Sequence, residues 1–192
     1  DISWVDWDVH GFTGLELWNG FSELKSVVRS KLDGIFYAFF PQALARGPLP
    51  GTLAIWDGLL NNGRKVVAVG GSDAHALHLS MGPLHRVVFP YEYHFSAVNT
   101  HLLVPHPLLG SIPQDKVMIY SALAAGHCFI GYDLASPTRG FRFSAQGTEG
   151  SVIMGDEIPA SGGVTLQVNF PAPPSQAFLI RNSTVIQQTN KV

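Results

Sequence analysis

The stretch Val66–His75, VVAVGGSDAH, decides how the rest of this chain is interpreted. An apolar, largely β-branched run followed by glycines is typical of a buried strand in a parallel sheet. Asp73 and His75 come directly after it, and residues two apart in an extended segment point the same way. A carboxylate and an imidazole converging at the carboxyl end of such a strand suit a divalent metal ion. We therefore expect Asp73 and His75 to be metal ligands; the alternative is a capping Asp and a loop His that satisfy local backbone.

The composition is that of a folded protein with a substantial core. Of the 192 residues, 46% are hydrophobic and 14% are charged, and the formal net charge is −2. This charge gives no reason to expect a nucleic acid or an anionic membrane as a partner. A single cysteine, Cys128, excludes an intramolecular disulfide bond. No segment has the roughly 18 consecutive apolar residues that a membrane-spanning helix needs.

The two ends of the sequence suggest a piece of a longer protein. The chain begins at Asp1 without a methionine or a signal-peptide pattern, and it ends inside a strand-like stretch. We therefore expect a fragment. The compartment stays open, because both a cytoplasmic and an exported parent protein are compatible with the sequence.

Residues 1–136 alternate between short apolar strands and helical stretches. Helix, tight turn, strand and then polar residues is the βα alternation of a parallel barrel or a doubly wound sheet. The segment 34–40 is apolar throughout, so its periodicity does not separate a strand from a buried helix. Strands are predicted at 14–19, 66–69, 98–104 and 128–130, and helices at 22–32, 52–62 and 115–125.

Residues 137–192 show only short β patterns. Strands at this spacing, separated by turn signals, predict a small antiparallel β-sandwich that looks truncated because an edge is left open. Asn182–Ser183 is predicted to be a tight hairpin turn. The predicted strands are 141–145, 151–154, 164–170, 177–181 and 184–188.

Two residues near the amino terminus are further candidates for a metal site or a pocket. His10 alternates with Asp6 and Asp8 and would share their side of an extended segment; otherwise it lies on an exposed loop. Glu16 lies inside an apolar strand, where a carboxylate needs a partner. It either forms a structural hydrogen bond with the backbone or with Asn19, or it faces a pocket.

Other candidates follow the central motif. His78 would share the face of His75 if a helix began there; otherwise it is a partly exposed flanking residue. Arg86 is a candidate ligand for a substrate phosphate, although a solvated surface arginine is the commoner outcome. His94 and His101 flank an aromatic stretch, which favours the edge of the core over metal ligation.

These residues, taken together, show a resemblance to a known family. The segment Gly71–His75, GSDAH, resembles the last metal-binding motif of the PHP (polymerase and histidinol phosphatase) superfamily of metal-dependent phosphoesterases. Gly14–Gly20, GLELWNG, looks like the strand that precedes that motif, and Asp115–Phe129 looks like the closing helix and the turn into the last strand. Phe141–Ala145 resembles the start of the β-sandwich that some members carry.

The resemblance implies an α/β fold of a particular kind. Residues 1–136 would be the C-terminal part, or back half, of a distorted TIM-like (β/α)7 PHP barrel, and residues 137–192 a β-sandwich accessory domain. Asp73 and His75 would each bind one ion of a multinuclear site of Zn, Mn or Fe. The reaction would be hydrolysis of a small-molecule phosphate ester by metal-activated water.

The sequence departs from the family at its front. The opening H-x-H motif and the middle ligands of the family should precede these segments, and this chain has no H-x-H. We therefore expect a catalytically incomplete chain, whose missing N-terminal barrel half is supplied in cis or in trans. Two alternatives stay open: a non-catalytic scaffold or binding module, and an amidohydrolase-type metal hydrolase on a related barrel.

Overall fold

The computed structural model describes residues 6, 8–174 and 176–190, which form a mixed α/β structure of several small sheets. A closed barrel is not formed by these residues. The helices are α1 (Gly20–Val27), α2 (Lys31–Phe39), α3 (Pro50–Asn61), α4 (Tyr91–Ser96) and α5 (Ile112–Ala125). The strands of the first two thirds are β1 (Gly14–Asn19), β2 (Val67–Gly71), β3 (Leu77–Met81), β4 (Leu84–Val88), β5 (Val98–Leu102) and β6 (Cys128–Tyr132).

The motif strand β2 pairs in parallel with β1, as the sequence predicts. Gly14 faces Val67 and Asn19 faces Gly71, and the amide of Val67 donates to the carbonyl of Thr13 at 2.9 Å. The strands are joined by a crossover containing α1, α2 and α3, which is the kind of connection that a parallel pair requires. Both strands therefore end at the same edge, and the polar residues that follow them are brought together there.

The parallel arrangement is not continued by β5. This strand pairs antiparallel with β6, with Val98 facing Tyr132 and Leu102 facing Cys128. The expected βα alternation is wrong at β5 because the segment 72–97 returns the chain to the end at which β2 finishes, where Ser72 Oγ contacts the Val98 carbonyl, so β5 runs opposite to β2. The segment 103–111 then leads to α5. The helix then ends beside the end of β5, where the amide of Leu103 donates to the carbonyl of His127 at 2.8 Å.

Hydroxyl groups join β2 to β5. Thr100 Oγ1 donates to the carbonyl of Gly70 at 2.7 Å and accepts from the amide of Gly70 at 2.8 Å. Ser72 Oγ donates to the carbonyl of Val98 at 3.0 Å. These bonds satisfy backbone groups at the edge of β2, where no neighbouring strand forms a ladder of backbone hydrogen bonds. They also hold the two strand pairs against each other.

The predicted helix 22–32 is divided into α1 and the start of α2. The division occurs because Ser30 is a strong N-cap: its hydroxyl accepts from the amide of Asp33, and the Asp33 carboxylate accepts from the amide of Ser30 at 2.8 Å. This reciprocal capping box starts a new helix even though the apolar spacing continues through it. The ambiguous segment 34–40 is accordingly helical as far as Phe39.

The segment between β2 and β5 forms a hairpin and a short helix. β3 and β4 pair antiparallel from Leu77–Val88 to Met81–Leu84, and Gly82 takes a φ of +59° in the turn. No helix begins near His78, so the possibility that His78 and His75 share a helical face is wrong. A strand forms instead because a hairpin partner lies only a few residues further along the chain.

The C-terminal region contains the predicted strands. They are β7 (Arg142–Gly147), β8 (Gly150–Ile153), β9 (Thr165–Asn169), β10 (Gln176–Arg181) and β11 (Thr184–Asn190). β8, β7 and β9 form a three-stranded antiparallel sheet, and β10 and β11 form a separate hairpin. Asn182 and Ser183 have φ angles of +49° and +61°, as a type I′ turn requires.

The C-terminal region packs onto the rest of the chain at the start of β6. The backbone around Gly155 touches Gly126 so closely that a Cβ at Gly155 would lie 2.4 Å from the Gly126 carbonyl carbon. His127 Nε2 lies 2.8 Å from Asp156 Oδ1, and the Phe129 and Phe141 rings are 5.2 Å apart. The boundary at residue 137 stays a prediction, and these contacts cross it.

The best buried cluster lies beneath α1, α2 and α4. Tyr37, Leu44 and Phe89 form its centre, with Leu24 and Tyr93 among the partly buried side chains against it. Large apolar side chains on α2, α5 and the β10–β11 hairpin are exposed. Within the described part of the chain, no helix has the length and apolarity needed to cross a membrane.

The close packing of Ile130 and Trp18 against Gly70 predicts that a side chain at this position would lower stability. A Cβ there would lie 2.6 Å from Ile130 Cγ2 and 3.2 Å from the Trp18 carbonyl oxygen. We expect Gly70→Ala to lower the free energy of unfolding by about 1–3 kcal/mol through overpacking. Gly58→Ala is the matched control, because nothing lies within 4 Å of its added Cβ in α3; it should raise stability by about 0.5–1 kcal/mol. Urea denaturation measures both, and equal effects would contradict the packing argument.

Candidate metal centre

Three strands end at the same edge of the structure. β1 and β2 are parallel, and β2 runs alongside β6 in the same direction, because Cys128 Sγ contacts the Ala68 carbonyl and Ile130 packs over Gly70. The residues at or just beyond the carboxyl ends of these strands are Asn19, Asp73 and Asp133. α/β proteins form their active and ligand-binding sites at this edge, so the polar side chains there are the first candidates for a functional site.

The backbone holds Asp73 and His75 in a defined turn. Asp73 has a φ of +50°, in the left-handed region that Asp tolerates better than most residues. His75 Nδ1 lies 2.6 Å from the Asp73 carbonyl oxygen and 3.5 Å from Asp73 Oδ1. A carbonyl oxygen only accepts, so Nδ1 carries the proton and Nε2 carries the lone pair. Metal-binding histidines are usually oriented in this way.

Both side chains are accessible. The Asp73 side chain is 40% exposed and that of His75 is 51% exposed. The Phe21 ring stacks on the imidazole of His75 at a centroid distance of 4.8 Å and an interplanar angle of 23°. The stacking fixes the plane of the imidazole while its ligating edge stays accessible. The pair thus presents one carboxylate and one oriented imidazole to solvent.

A buried histidine supports this turn from behind. His94 is 4% exposed, and its Nε2 lies 3.3 Å from both the amide nitrogen and the carbonyl oxygen of His75. Either tautomer of His94 therefore makes a hydrogen bond with the turn. Burial lowers the pKa of His94 below its usual value, which favours the neutral ring. Ser72 Oγ donates to the His94 carbonyl and so ties the helix α4 to the end of β2.

Glu16 and Asn19 lie at the neighbouring strand end. Asn19 Nδ2 donates to Glu16 Oε2 at 3.0 Å, and Asn19 Oδ1 accepts from the amide of Ser22 at the start of α1. Glu16 Oε1 is close to Gly71, where an added Cβ would lie 3.4 Å away. The hydrogen bond with Asn19 is therefore present, and it places the carboxylate of Glu16 at the same edge as the Asp73 turn.

The other sequence candidates are placed elsewhere. His10 precedes β1 at its amino end, where the Val9 carbonyl contacts Arg64 Nη2 at 3.4 Å, so β1 separates it from Asp73. His78 lies in β3 opposite Val87. The Arg86 guanidinium stacks over the Phe39 ring at 4.5 Å. Arg86 as a phosphate ligand stays a prediction.

The donor set at this edge is incomplete within the described residues. They contain no group of three or more His, Cys, Asp or Glu side chains arranged to hold a metal ion. Asp73 and His75 are therefore a pair of potential ligands, which fits a divalent ion only when further donors join them.

A second polar cluster surrounds Asp133, and the sequence analysis did not predict it. The carboxylate accepts from the amide and hydroxyl of Thr138, at 2.8 and 2.6 Å, and from Asn99 Nδ2 at 3.0 Å. His101 Nε2 lies 2.7 Å from Asp133 Oδ2. The signal that could have found it is an Asp directly after a strand with a Thr five residues further on, because both side chains form local hydrogen bonds readily.

The cluster around Asp133 is saturated with hydrogen bonds, so it acts as a structural clamp. Burial alone would raise the pKa of Asp133, but the hydrogen bonds from Thr138, Asn99 and His101 outweigh it and lower the pKa to about 2. The clamp also requires Gly131, because an added Cβ there would lie 2.0 Å from Thr138 Oγ1. It fixes the loop by which the chain leaves β6 for β7.

Comparison with protein-family models, with curated proteins and with solved structures gives no match for this chain.

The hydrogen bonds of this clamp predict that part of the free energy of unfolding is lost in acid. The folded-state pKa of Asp133, about 2, lies below the ordinary value of 3.8. Its contribution to stability is therefore present above about pH 4 and is lost as the pH falls toward 2. We expect the free energy of unfolding of Asp133→Asn to fall less steeply between pH 4 and 2 than that of the wild type. Thr138→Ser, which keeps both donors, should follow the wild type; identical slopes for wild type and Asp133→Asn would contradict the assignment.

Proposed function

We propose that this chain carries the last two metal ligands of a PHP-type metal-dependent phosphoesterase, as the back half of its barrel followed by a β-sandwich. The observation that supports this most directly is the orientation of His75. Its Nδ1 lies 2.6 Å from the Asp73 carbonyl oxygen, to which it donates, and this leaves Nε2 as the nitrogen that could bind a metal ion. The resemblance of GSDAH to the last motif of that superfamily points to the same two residues.

The donor chemistry fits a divalent ion of the Zn, Mn or Fe type. One carboxylate oxygen and one imidazole nitrogen are common to sites for all three metals. When bound, such ions lower the pKa of water and neutralise the charge of a phosphate ester. Asp73 would contribute negative charge to hold them, and His75, oriented by its own backbone, would supply a neutral donor. The remaining ligands would come from a front half of the barrel, in cis or in trans.

The edge at which these residues lie supports the proposal further. β1 and β2 are the parallel pair of the structure, and Glu16, Asn19 and the Asp73 turn lie together at their carboxyl ends. A barrel half needs such strands to continue outward, and β1 has no strand paired on its outer edge within the described residues. That edge is where the missing strands would add in this proposal.

Metal content of the purified chain tests the ligand assignment. The protein is equilibrated with Zn²⁺, Mn²⁺ or Fe²⁺, passed through a desalting column and analysed for metal by elemental analysis. Because two donors bind weakly, titration calorimetry accompanies it. We expect Asp73→Ala and His75→Ala each to reduce the metal affinity at least tenfold, while His106→Ala, which removes an exposed histidine elsewhere, leaves it unchanged.

The possible outcomes separate the proposal from its alternatives. Equal metal binding by the wild type and both variants would contradict the assignment of Asp73 and His75. If metal binds at this pair, addition of the front half and assays with phosphate-ester and amide substrates distinguish a phosphoesterase from an amidohydrolase-type enzyme. A wild-type chain that binds no metal, together with a parent protein lacking H-x-H, would favour the non-catalytic scaffold.

His94 is expected to be a positioning residue for the same pair. Its hydrogen bond to the backbone of His75 holds the turn, so His94→Leu should weaken metal binding about tenfold. His94→Gln should restore most of the affinity, because its amide both donates and accepts. Calorimetry measures the metal affinity, and thermal denaturation reports stability separately. Equal loss of affinity in the Leu and Gln variants would contradict this role.

A further inference from the structure

A groove begins beside His75 and runs between α1, α2 and the β3–β4 hairpin. Its volume is about 770 Å³, which is within the range of sites for small organic molecules. Phe21, whose ring stacks on His75 at 4.8 Å, forms one end of the lining. The Phe21 ring therefore stands between the groove and His75 and contacts both.

The inside of this groove is apolar. α1 contributes Leu24 and Val28, α2 contributes Ile35 and Ala38, and Phe89 lies at the end of the hairpin. Ile35 is 41% exposed, so part of this surface is open to solvent. Filling the groove with hydrocarbon would remove that apolar surface from water, which is favourable by about 25 cal/mol per Å².

The charged residues of the groove are all of one sign. Lys25 and Lys31 line it together with His78, and no Asp or Glu is among the described lining residues. The ammonium group of Lys25 lies over the Phe21 ring at 4.7 Å. An apolar channel with lysines beside it is complementary to a molecule that has a hydrocarbon part and an anionic group.

We infer that this groove binds the apolar group of an organic phosphate, whose anionic head lies beside Lys25 and Lys31. The occupant is thus a small anionic amphiphile, an alkyl or aryl phosphate. The identification of this molecule as the substrate rests on the proposed function, whereas its binding in the groove does not. The two statements can be tested separately.

Octylphosphonate is the probe, because its carbon–phosphorus bond is not an ester and is not hydrolysed like one. Binding is measured by titration calorimetry with EDTA present, below the concentration at which the probe forms micelles. We expect saturable binding of octylphosphonate by the wild-type chain, and binding at least tenfold weaker for inorganic phosphate and for 1-octanol. This pattern requires both the hydrocarbon part and the anionic part of the probe.

Matched variants locate the site. Ile35→Asn places a polar group in the groove and should weaken binding about tenfold, whereas Leu32→Asn, on the same helix but 76% exposed and outside the lining, should leave it unchanged. The double variant Lys25→Gln, Lys31→Gln should weaken binding about fivefold. Lys116→Gln is its control, because this lysine also lies over an aromatic ring, that of Tyr120, but on α5.

Several results would overturn the inference. Among them are no binding of octylphosphonate, equal binding of inorganic phosphate, or equal effects of Ile35→Asn and Leu32→Asn. Sedimentation that shows self-association of the wild type, abolished by Ile35→Asn, would assign the groove to a second copy instead. Octylphosphonate binding that persists in Asp73→Ala supports the groove independently of the metal, and such binding in a wild-type chain that holds no metal would leave the inference standing while the proposed function fails.

Discussion

The contact between Gly70 and the β5–β6 pair is the constraint on which the rest of the structure depends. At this position the backbone of β2 meets Thr100 Oγ1, which both donates to and accepts from the same residue, and Ile130 lies over the missing side chain. The approach of Ile130 requires a glycine, because an added Cβ would lie 2.6 Å from its Cγ2. The glycine and the Thr100 bonds hold β2 in this register, and the register determines where Asp73 is placed.

The same constraint links the packing of the strands to the chemistry of the turn. Ser72 follows the glycines and donates to carbonyl groups of His94 and Val98. His94 in turn contacts the backbone of His75, whose ring is oriented by Asp73 and by Phe21. A short segment thus passes from a buried strand to the exposed Asp73–His75 pair within a few residues, and each step is fixed by a hydrogen bond or a ring contact. This arrangement supports the proposed metal centre because ligands must be held before the metal binds.

Local patterns allowed much of this structure to be predicted from the sequence. The strands β1, β2, β5 and β6, the helix α3 and the hairpin turn at Asn182–Ser183 follow from apolar runs and turn residues that act over short distances. Two kinds of feature were not predictable in this way. The division at Ser30 depends on a cap that competes with a continuing apolar pattern, and the direction of β5, antiparallel to β2 and β6, depends on the path of the segment 72–97 through space. Asp73 and His75 were found because they follow a strand, whereas His94 and the partners of Asp133 come together only in the folded chain.

The way in which the C-terminal region is attached has a mechanical consequence. At one end of β6 the backbones of Gly126 and Gly155 touch, and at the other end Thr138 is bonded to Asp133. The region is therefore braced against the strand at both of its ends rather than suspended from a single hinge. A force applied to β7, or the binding of a molecule there, would strain β6 along its length. Such a region stiffens the sheet and is poorly suited to swing as a cover over the edge at which Asp73 and His75 lie.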